Sequence, residues 1–223
     1  MGYTTEFSGQ LAITPPLPTV LVAYINNMAN TRRMKRNLPP LYGIEGEFFV
    51  MGKGVMGQDN DPTVIDGNHP PFTQPGLWLQ WIISDDGTRL EWDEGEKFYA
   101  YVEWLAYLYK EILLPLGHTL SGHIKWRGED FDDMGNVDVD GPIIRATGYP
   151  DIDCTPDAYP RFMDFIRQAS GEHARIVAST SAAPALPAVS QSTTDDYEEI
   201  AKLVAQLGAD HPGVLAMKKL LGM

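Results

Sequence analysis

The stretch from Gln74 to Gly117 constrains the fold most, because it concentrates the large aromatic side chains of the chain. It holds four of the five tryptophans and four of the ten tyrosines. Side chains of this size supply much of the apolar area that a core can bury. We therefore expect the core to form around the four tryptophans of this stretch: Trp78, Trp81, Trp92 and Trp104.

The pattern inside this stretch predicts a hairpin followed by a helix. Aromatic and β-branched residues at 77–83 and 88–92 are typical of strands, and Asp85-Asp86-Gly87 between them is typical of a tight turn. From residue 97 the apolar side chains recur with helical spacing. Pro115 and Gly117 predict the end of that helix.

The rest of the first two thirds of the chain predicts further strands and one more helix. Residues 3–14, 47–51, 118–127 and 136–146 favour strands, and residues 19–36 carry apolar side chains at helical spacing. This order of elements predicts an α+β fold. We expect a two-layer sandwich, with a mainly antiparallel sheet covered on one face by two helices.

Composition divides the chain into four parts. Residues 1–147 form the predicted α+β core domain, and residues 148–178 an irregular extension with a short helix. Residues 179–194 contain Ser, Thr, Ala and Pro but no charge, which is typical of a semi-extended linker. Residues 195–223 predict a C-terminal helical hairpin. The hairpin is too small to bury a core alone, so it docks on its own domain, a second copy or another protein, through Tyr197, Ile200, Val204, Leu215 and Leu220.

Charge and cysteine content narrow the class of protein. The formal net charge is -13, which argues against general affinity for nucleic acid or anionic membrane. A single cysteine, Cys154, excludes an internal disulfide. The chain shows no secretory leader and no apolar run near the roughly 20 residues of a membrane span. These features predict a cytoplasmic protein that does not enter a membrane.

One dense basic cluster falls at the end of the first predicted helix. Cations at this position interact favourably with the negative end of the helix dipole. They also suit a site for an anion, an acidic partner or the acidic surface of another copy, which would give a homo-oligomer. The cluster consists of Arg32, Arg33, Lys35 and Arg36.

The acidic connection at 128–135 carries four carboxylates within five residues: Glu129, Asp130, Asp132 and Asp133. Carboxylates this close together repel one another. Solvent in an exposed turn reduces that repulsion, and so does a bound divalent cation. The spacing does not match an EF-hand, and magnesium or manganese would need a further ligand, for which His123, Asp138 and Glu91 are candidates.

Other catalytic patterns are missing from the sequence. The glycines of 52–57 lack the Gly-Lys-Ser or Gly-Lys-Thr of a phosphate loop. The chain contains no Gly-x-Ser-x-Gly elbow and no His-Glu-x-x-His pair, and its one cysteine does not suit a zinc site. The sequence is thus compatible with both an enzyme and a non-enzymatic protein.

Five dispersed motifs stand out in the first two thirds of the chain: Gly2-Tyr3-Thr4-Thr5, Thr31-Arg32-Arg33-Met34, Gln74-Pro75-Gly76-Leu77-Trp78 with Gln80-Trp81, Glu91-Trp92-Asp93 with Glu96-Lys97-Phe98-Tyr99, and Gly128-Glu129-Asp130 with Asp132-Asp133. Together they resemble the motifs of a family of small bacterial and phage proteins without an assigned activity. The resemblance covers about residues 2 to 146. It implies a bacterial or phage-encoded protein of the host cytoplasm and brings no catalytic residue with it.

Two hypotheses about function follow, from different classes. The first is an accessory protein that acts by protein–protein interaction through an acidic surface and its tethered C-terminal helices. The alternative is a small metal-dependent hydrolase or nucleotide-handling enzyme that uses the acidic turn at 129–133 with a divalent cation. The acidic surface also suits mimicry of nucleic acid toward DNA-binding proteins.

Overall fold

A computed structural model describes residues 3–51, 56–158 and 160–169 of the chain. These residues contain nine strands: β1 (Glu6–Thr14), β2 (Lys35–Arg36), β3 (Val64–Asp66), β4 (Trp81–Ile83), β5 (Arg89–Trp92), β6 (Thr119–Arg127), β7 (Met134–Asp140), β8 (Ile143–Ala146) and β9 (Ile152–Asp153). Seven of them form one sheet in the order β4-β5-β1-β6-β7-β8-β9, and every neighbouring pair in it is antiparallel. Strands β2 and β3 form a separate small antiparallel sheet.

Three helices accompany the sheet in this part of the chain. They are α1 (Thr19–Asn30), α2 (Tyr101–Tyr107) and α3 (residues 161–169). Helix α2 continues without a break into a π-helical segment, Leu108–Leu113. Single 3₁₀ turns occur at Pro40–Tyr42, Ile44–Gly46 and Gln58–Asn60. The predicted α+β fold with a mainly antiparallel sheet is confirmed.

The large sheet buries one face only. Along β1, Leu11 and Ile13 are buried while the residues between and beside them are exposed, and β6 and β7 alternate in the same way. Helix α1 and α2 pack on β4, and the π-helical segment packs on β6. The helices therefore lie on the buried face, and the other face meets solvent.

Aromatic side chains from the Gln74–Gly117 stretch fill this core. Trp81 is fully buried, and its indole N–H donates to the carbonyl oxygen of Tyr101 at 2.9 Å. Its ring lies 5.4 Å from that of Phe7 and 5.1 Å from that of Phe98, both in edge-to-face geometry. Such pairs each contribute about 0.5–1.5 kcal/mol beyond their buried area.

The predicted hairpin and helix end are confirmed. Strands β4 and β5 pair with Trp81 opposite Trp92, and Gly87 in their turn has a φ of 71°. A Cβ at Gly87 would overlap the backbone of Leu17, so the turn requires glycine on two grounds. Gly117, with a φ of 84°, follows the end of the π-helical segment.

Three element predictions are wrong. Helix α1 ends at Asn30 and not at residue 36, because Thr31 is extended and its hydroxyl donates to the carbonyl oxygen of Asn27. Residues 47–51 are not a strand, because the amides of 47–49 donate to carbonyl oxygens of the preceding turn and the carbonyl oxygens of Glu47 and Phe49 accept from Arg33. Residues 136–146 form parts of two strands, separated by a turn in which Gly141 has a φ of 57°.

The sheet and the core continue past the domain boundary predicted at residue 147. Strand β9 pairs with β8, and Phe162 and Phe165 of α3 are buried against Phe48. The predicted linker at 179–194 and hairpin at 195–223 lie outside the described residues. Among the helices that the structure describes, none combines the length and apolar character needed to cross a membrane.

Candidate interaction surface

The acidic turn lies at one end of the large sheet together with other carboxylates. Because the strands are antiparallel, β1 and β7 begin where β5 and β6 end. Segments 3–6, 93–100 and 127–134 therefore lie at the same end of the sheet, which we call the acidic end. They carry two cations, Lys97 and Arg127, against eight carboxylates: Glu6, Asp93, Glu94, Glu96, Glu129, Asp130, Asp132 and Asp133.

Hydrogen bonds hold the acidic turn in one conformation. The amide of Gly128 donates to the carbonyl oxygen of Asp133 at 2.8 Å, and the amide of Asp133 donates to that of Asp130 at 3.1 Å. The N-terminal segment also forms hydrogen bonds with the turn. The Tyr3 hydroxyl donates to a carboxylate oxygen of Asp133, and the amide of Thr4 donates to Oε1 of Glu129 at 2.8 Å. The hydrogen bond to Asp133 raises the pKa of the Tyr3 hydroxyl.

Large apolar side chains are exposed among these carboxylates. Phe131, at the tip of the acidic turn, is 84% exposed, and Tyr99 is 62% exposed. Met134 and Tyr3 are also exposed, at 51% and 38%. Aromatic residues and methionine are enriched in protein–protein interfaces, and exposed side chains of this size bury readily when a partner binds. The acidic end therefore combines charge with apolar contact area.

The structure does not assemble the predicted metal site. His123 lies in the middle of β6, four residues before Arg127, and so roughly 13 Å from the acidic turn at the usual rise of a strand. Its Nδ1 lies 2.6 Å from Oδ1 of Asp138 on β7 instead. Within the part of the chain that the structure describes, no three His, Cys, Asp or Glu side chains converge on a position for a metal ion. His123 is thus not brought together with Glu129, Asp130, Asp132 and Asp133, and binding of a divalent cation stays a prediction.

The basic cluster is largely structural, contrary to its prediction as a partner site. Arg33 is 2% exposed, and its guanidinium donates to the carbonyl oxygens of Phe49 and Glu47, both at 2.6 Å. Arg36 is 3% exposed, lies 4.5 Å above the Phe49 ring and pairs with Asp61 at 3.4 Å. Neither guanidinium can meet a partner in this conformation.

The two remaining cations of the cluster differ in surroundings. The ammonium of Lys35 pairs with Glu45 at 3.1 Å, and the side chain of Arg32 is half-buried. Because α1 ends at Asn30, none of the four cations lies in its last turn, and the helix-dipole interpretation is wrong. The predicted contact residues of the C-terminal hairpin, Tyr197, Ile200, Val204, Leu215 and Leu220, lie outside the described residues.

The structure also shows a cleft that the sequence did not predict, which we call the π cleft. It has a volume of about 330 Å³ and lies between the π-helical segment, the loop at 72–75 and the segment 152–154. Arg161 joins two buried carboxylates beside it: its Nε lies 3.1 Å from Glu47 Oε1, and its Nη2 lies 3.1 Å from Glu111 Oε1. The three residues are 50 or more positions apart, so no local motif marks them.

Glu111 makes the stability of the protein depend on pH. Burial raises the pKa of its carboxyl above the value in the unfolded chain, although Arg161 acts in the opposite direction. The folded state therefore holds this proton more tightly, and the stability that Glu111 contributes falls as pH rises through its folded pKa. We expect Glu111→Gln to gain stability relative to the natural chain between pH 4 and 7. Chemical unfolding of both chains across that range measures the difference, and a constant difference would contradict the assignment.

Comparisons of the chain with family models, with curated proteins and with solved structures give no match. The resemblance to a family of bacterial and phage proteins accordingly stays a prediction.

Proposed function

We propose that this protein is a non-enzymatic accessory protein that binds a basic surface of a protein partner through its acidic end. The observation that carries the proposal is the exposure of Phe131, Tyr99 and Met134 at the same end of the sheet as eight carboxylates. Bacterial or phage origin, action in the host cytoplasm and a second contact through the C-terminal helices belong to the same proposal.

The two kinds of residue at the acidic end supply different parts of the binding energy. The carboxylates attract a basic partner over a distance and orient it, which raises the association rate. The aromatic side chains exclude water at the centre of the contact, where most binding energy arises. A surface that carried charge alone would be well solvated and would gain little on contact.

The hydrogen bonds from Tyr3 and Thr4 to the acidic turn reduce the entropic cost of binding. A free loop has to be ordered when a partner binds, and that ordering weakens the affinity. Here the turn is already held at Asp133 and Glu129 before any partner arrives. The side chains of Asp130, Phe131 and Asp132 remain exposed on this fixed turn.

The proposal is tested by affinity purification from host lysate with the full chain and a triple variant, Asp130→Asn, Phe131→Ala and Asp132→Asn. We expect a protein to be recovered by the natural chain and its binding to weaken at least about tenfold in the variant, because an aromatic anchor alone contributes about 2 kcal/mol or more. Binding of the recovered protein should also weaken steeply with salt.

A matched control separates the acidic end from overall charge. Asp59→Asn, Ile65→Ala and Asp85→Asn remove two charges and one exposed apolar side chain at positions outside the acidic end and the π cleft. The control should bind as the natural chain does. Equal losses in both variants, or a partner retained by the triple variant, would overturn the proposal.

A further inference from the structure

We propose that the π cleft binds an aliphatic ammonium or guanidinium group, with Glu111 as the carboxylate that receives it. This inference is independent of the acidic end. It rests on the cleft, on an unpartnered carboxylate oxygen beside it, and on the charges that line it.

Glu111 has an unused hydrogen-bond acceptor. Its side chain is 9% exposed and lines the cleft. Oε1 accepts from Arg161, while Oε2 is buried and has no hydrogen-bond partner among the residues that the structure describes. A buried carboxylate oxygen without a hydrogen-bond donor has lost its hydration and has gained no hydrogen bond in its place. This costs about 1–3 kcal/mol or more. A ligand N–H donor at this position would offset that loss.

The π-helical segment places this carboxylate in the wall of the cleft. π-Helical turns are rare and are found frequently at functional sites, since the wider turn re-aims side chains relative to an α-helix. Here the turn covers Leu108–Leu113 and includes both Lys110 and Glu111. The rest of the segment is anchored by buried apolar side chains, Leu108, Ile112 and Leu113.

The charges around the cleft favour a cation over an anion. The two cations that line it are already paired: Lys110 with Asp157 at 3.2 Å, and Arg161 with both Glu47 and Glu111. Glu103, on the same helix, also lines the cleft and is exposed. An ammonium group bound at Glu111 would therefore meet an excess of carboxylates, whereas an anion would meet cations that are already neutralised.

The apolar part of the lining suits a short carbon chain attached to that cation. Phe72, 86% exposed, and Pro75, Ala106 and Ile152 line the same cleft. The Phe72 ring can also attract a cation through its π face. The ligand class is thus a small aliphatic amine or guanidine, or the side chain of a lysine or arginine from another protein.

Calorimetry with the full chain tests this inference, using butylamine, butylguanidine, 1-butanol and a lysine tripeptide as probes. We expect butylamine and butylguanidine to bind and 1-butanol, which has the same chain without the charge, not to bind. Glu111→Gln should weaken the binding of butylamine at least about tenfold, which is the effect of losing one charge-assisted hydrogen bond. Tighter binding of the tripeptide than of butylamine would assign the site to a protein side chain, and the reverse to a free amine.

Two further variants keep the test decisive. Ala106→Leu narrows the cleft without changing a charge and should also weaken the binding of butylamine. This variant tests the cleft independently of any effect of Glu111→Gln on folding. Glu6→Gln removes an exposed carboxylate at the acidic end and should leave butylamine binding unchanged. Equal binding by the natural chain and both cleft variants, or no cationic binding up to about 50 mM, well beyond the range of a specific weak site, would overturn the inference.

Discussion

Arg33→Met should lower the free energy of unfolding by about 3–5 kcal/mol, because several buried acceptors lose their donor at a cost of about 1–3 kcal/mol each. Arg33 is 2% exposed, and its guanidinium donates to Phe49, Glu47 and the side chain of Gln74. Methionine fills similar space but donates nothing, so buried carbonyl oxygens lose their donors. The loop that carries Glu47 and Phe49 has no strand partner to replace them.

Urea unfolding monitored by tryptophan fluorescence measures this loss. The matched control is Arg32→Met, the same substitution one residue earlier at a half-buried side chain. We expect the control to change stability by less than about 1 kcal/mol, as for surface positions. Similar losses for the two variants would show that Arg33 does not hold the loop.

Trp81→Ala should destabilise the protein by about 3–5 kcal/mol as well, because it empties the centre of the aromatic core. Trp81 is fully buried and contacts both Phe7 and Phe98. Its indole N–H also satisfies the carbonyl oxygen of Tyr101, at the first residue of α2. Alanine leaves both a cavity and an unpaired acceptor.

Two variants divide this effect into its causes. Trp81→Phe keeps much of the volume and loses the hydrogen bond, so we expect a smaller loss, of about 1–3 kcal/mol. Trp92→Ala removes the half-buried tryptophan opposite Trp81, whose indole N–H has no partner within the described residues. It should cost less than Trp81→Ala. A larger loss for Trp92→Ala would place the centre of the core elsewhere.

Local patterns explain which parts of the fold could be predicted from sequence. The hairpin of β4 and β5 depends on alternating apolar residues and on Gly87, all within a dozen positions, and it was predicted correctly. The α+β class follows from the order of such elements. The end of α1 could not be predicted, because Thr31 also bonds to Met51, and that contact between distant residues outweighs helix propensity.

In the candidate sites, too, local features were predictable from sequence and contacts between distant residues were not. The acidic turn is recognisable from its composition, whereas its hydrogen bond from Tyr3 joins residues 130 positions apart. Arg33 looked like a surface cation, since nothing nearby indicates that the carbonyl oxygens of residues 47 and 49 need it. The Gly- and Pro-rich composition of residues 38–75 was the one available signal, because a long irregular loop with buried phenylalanine needs donors from elsewhere.

Hydrogen–deuterium exchange of the full chain, alone and in complex with a partner recovered by affinity purification, locates the surface that the partner covers. We expect slower exchange on binding in residues 93–100 and 127–134, with the largest change around Phe131. Protection that is confined to other surfaces, with unchanged exchange in both of these segments, would contradict the acidic end as the binding surface.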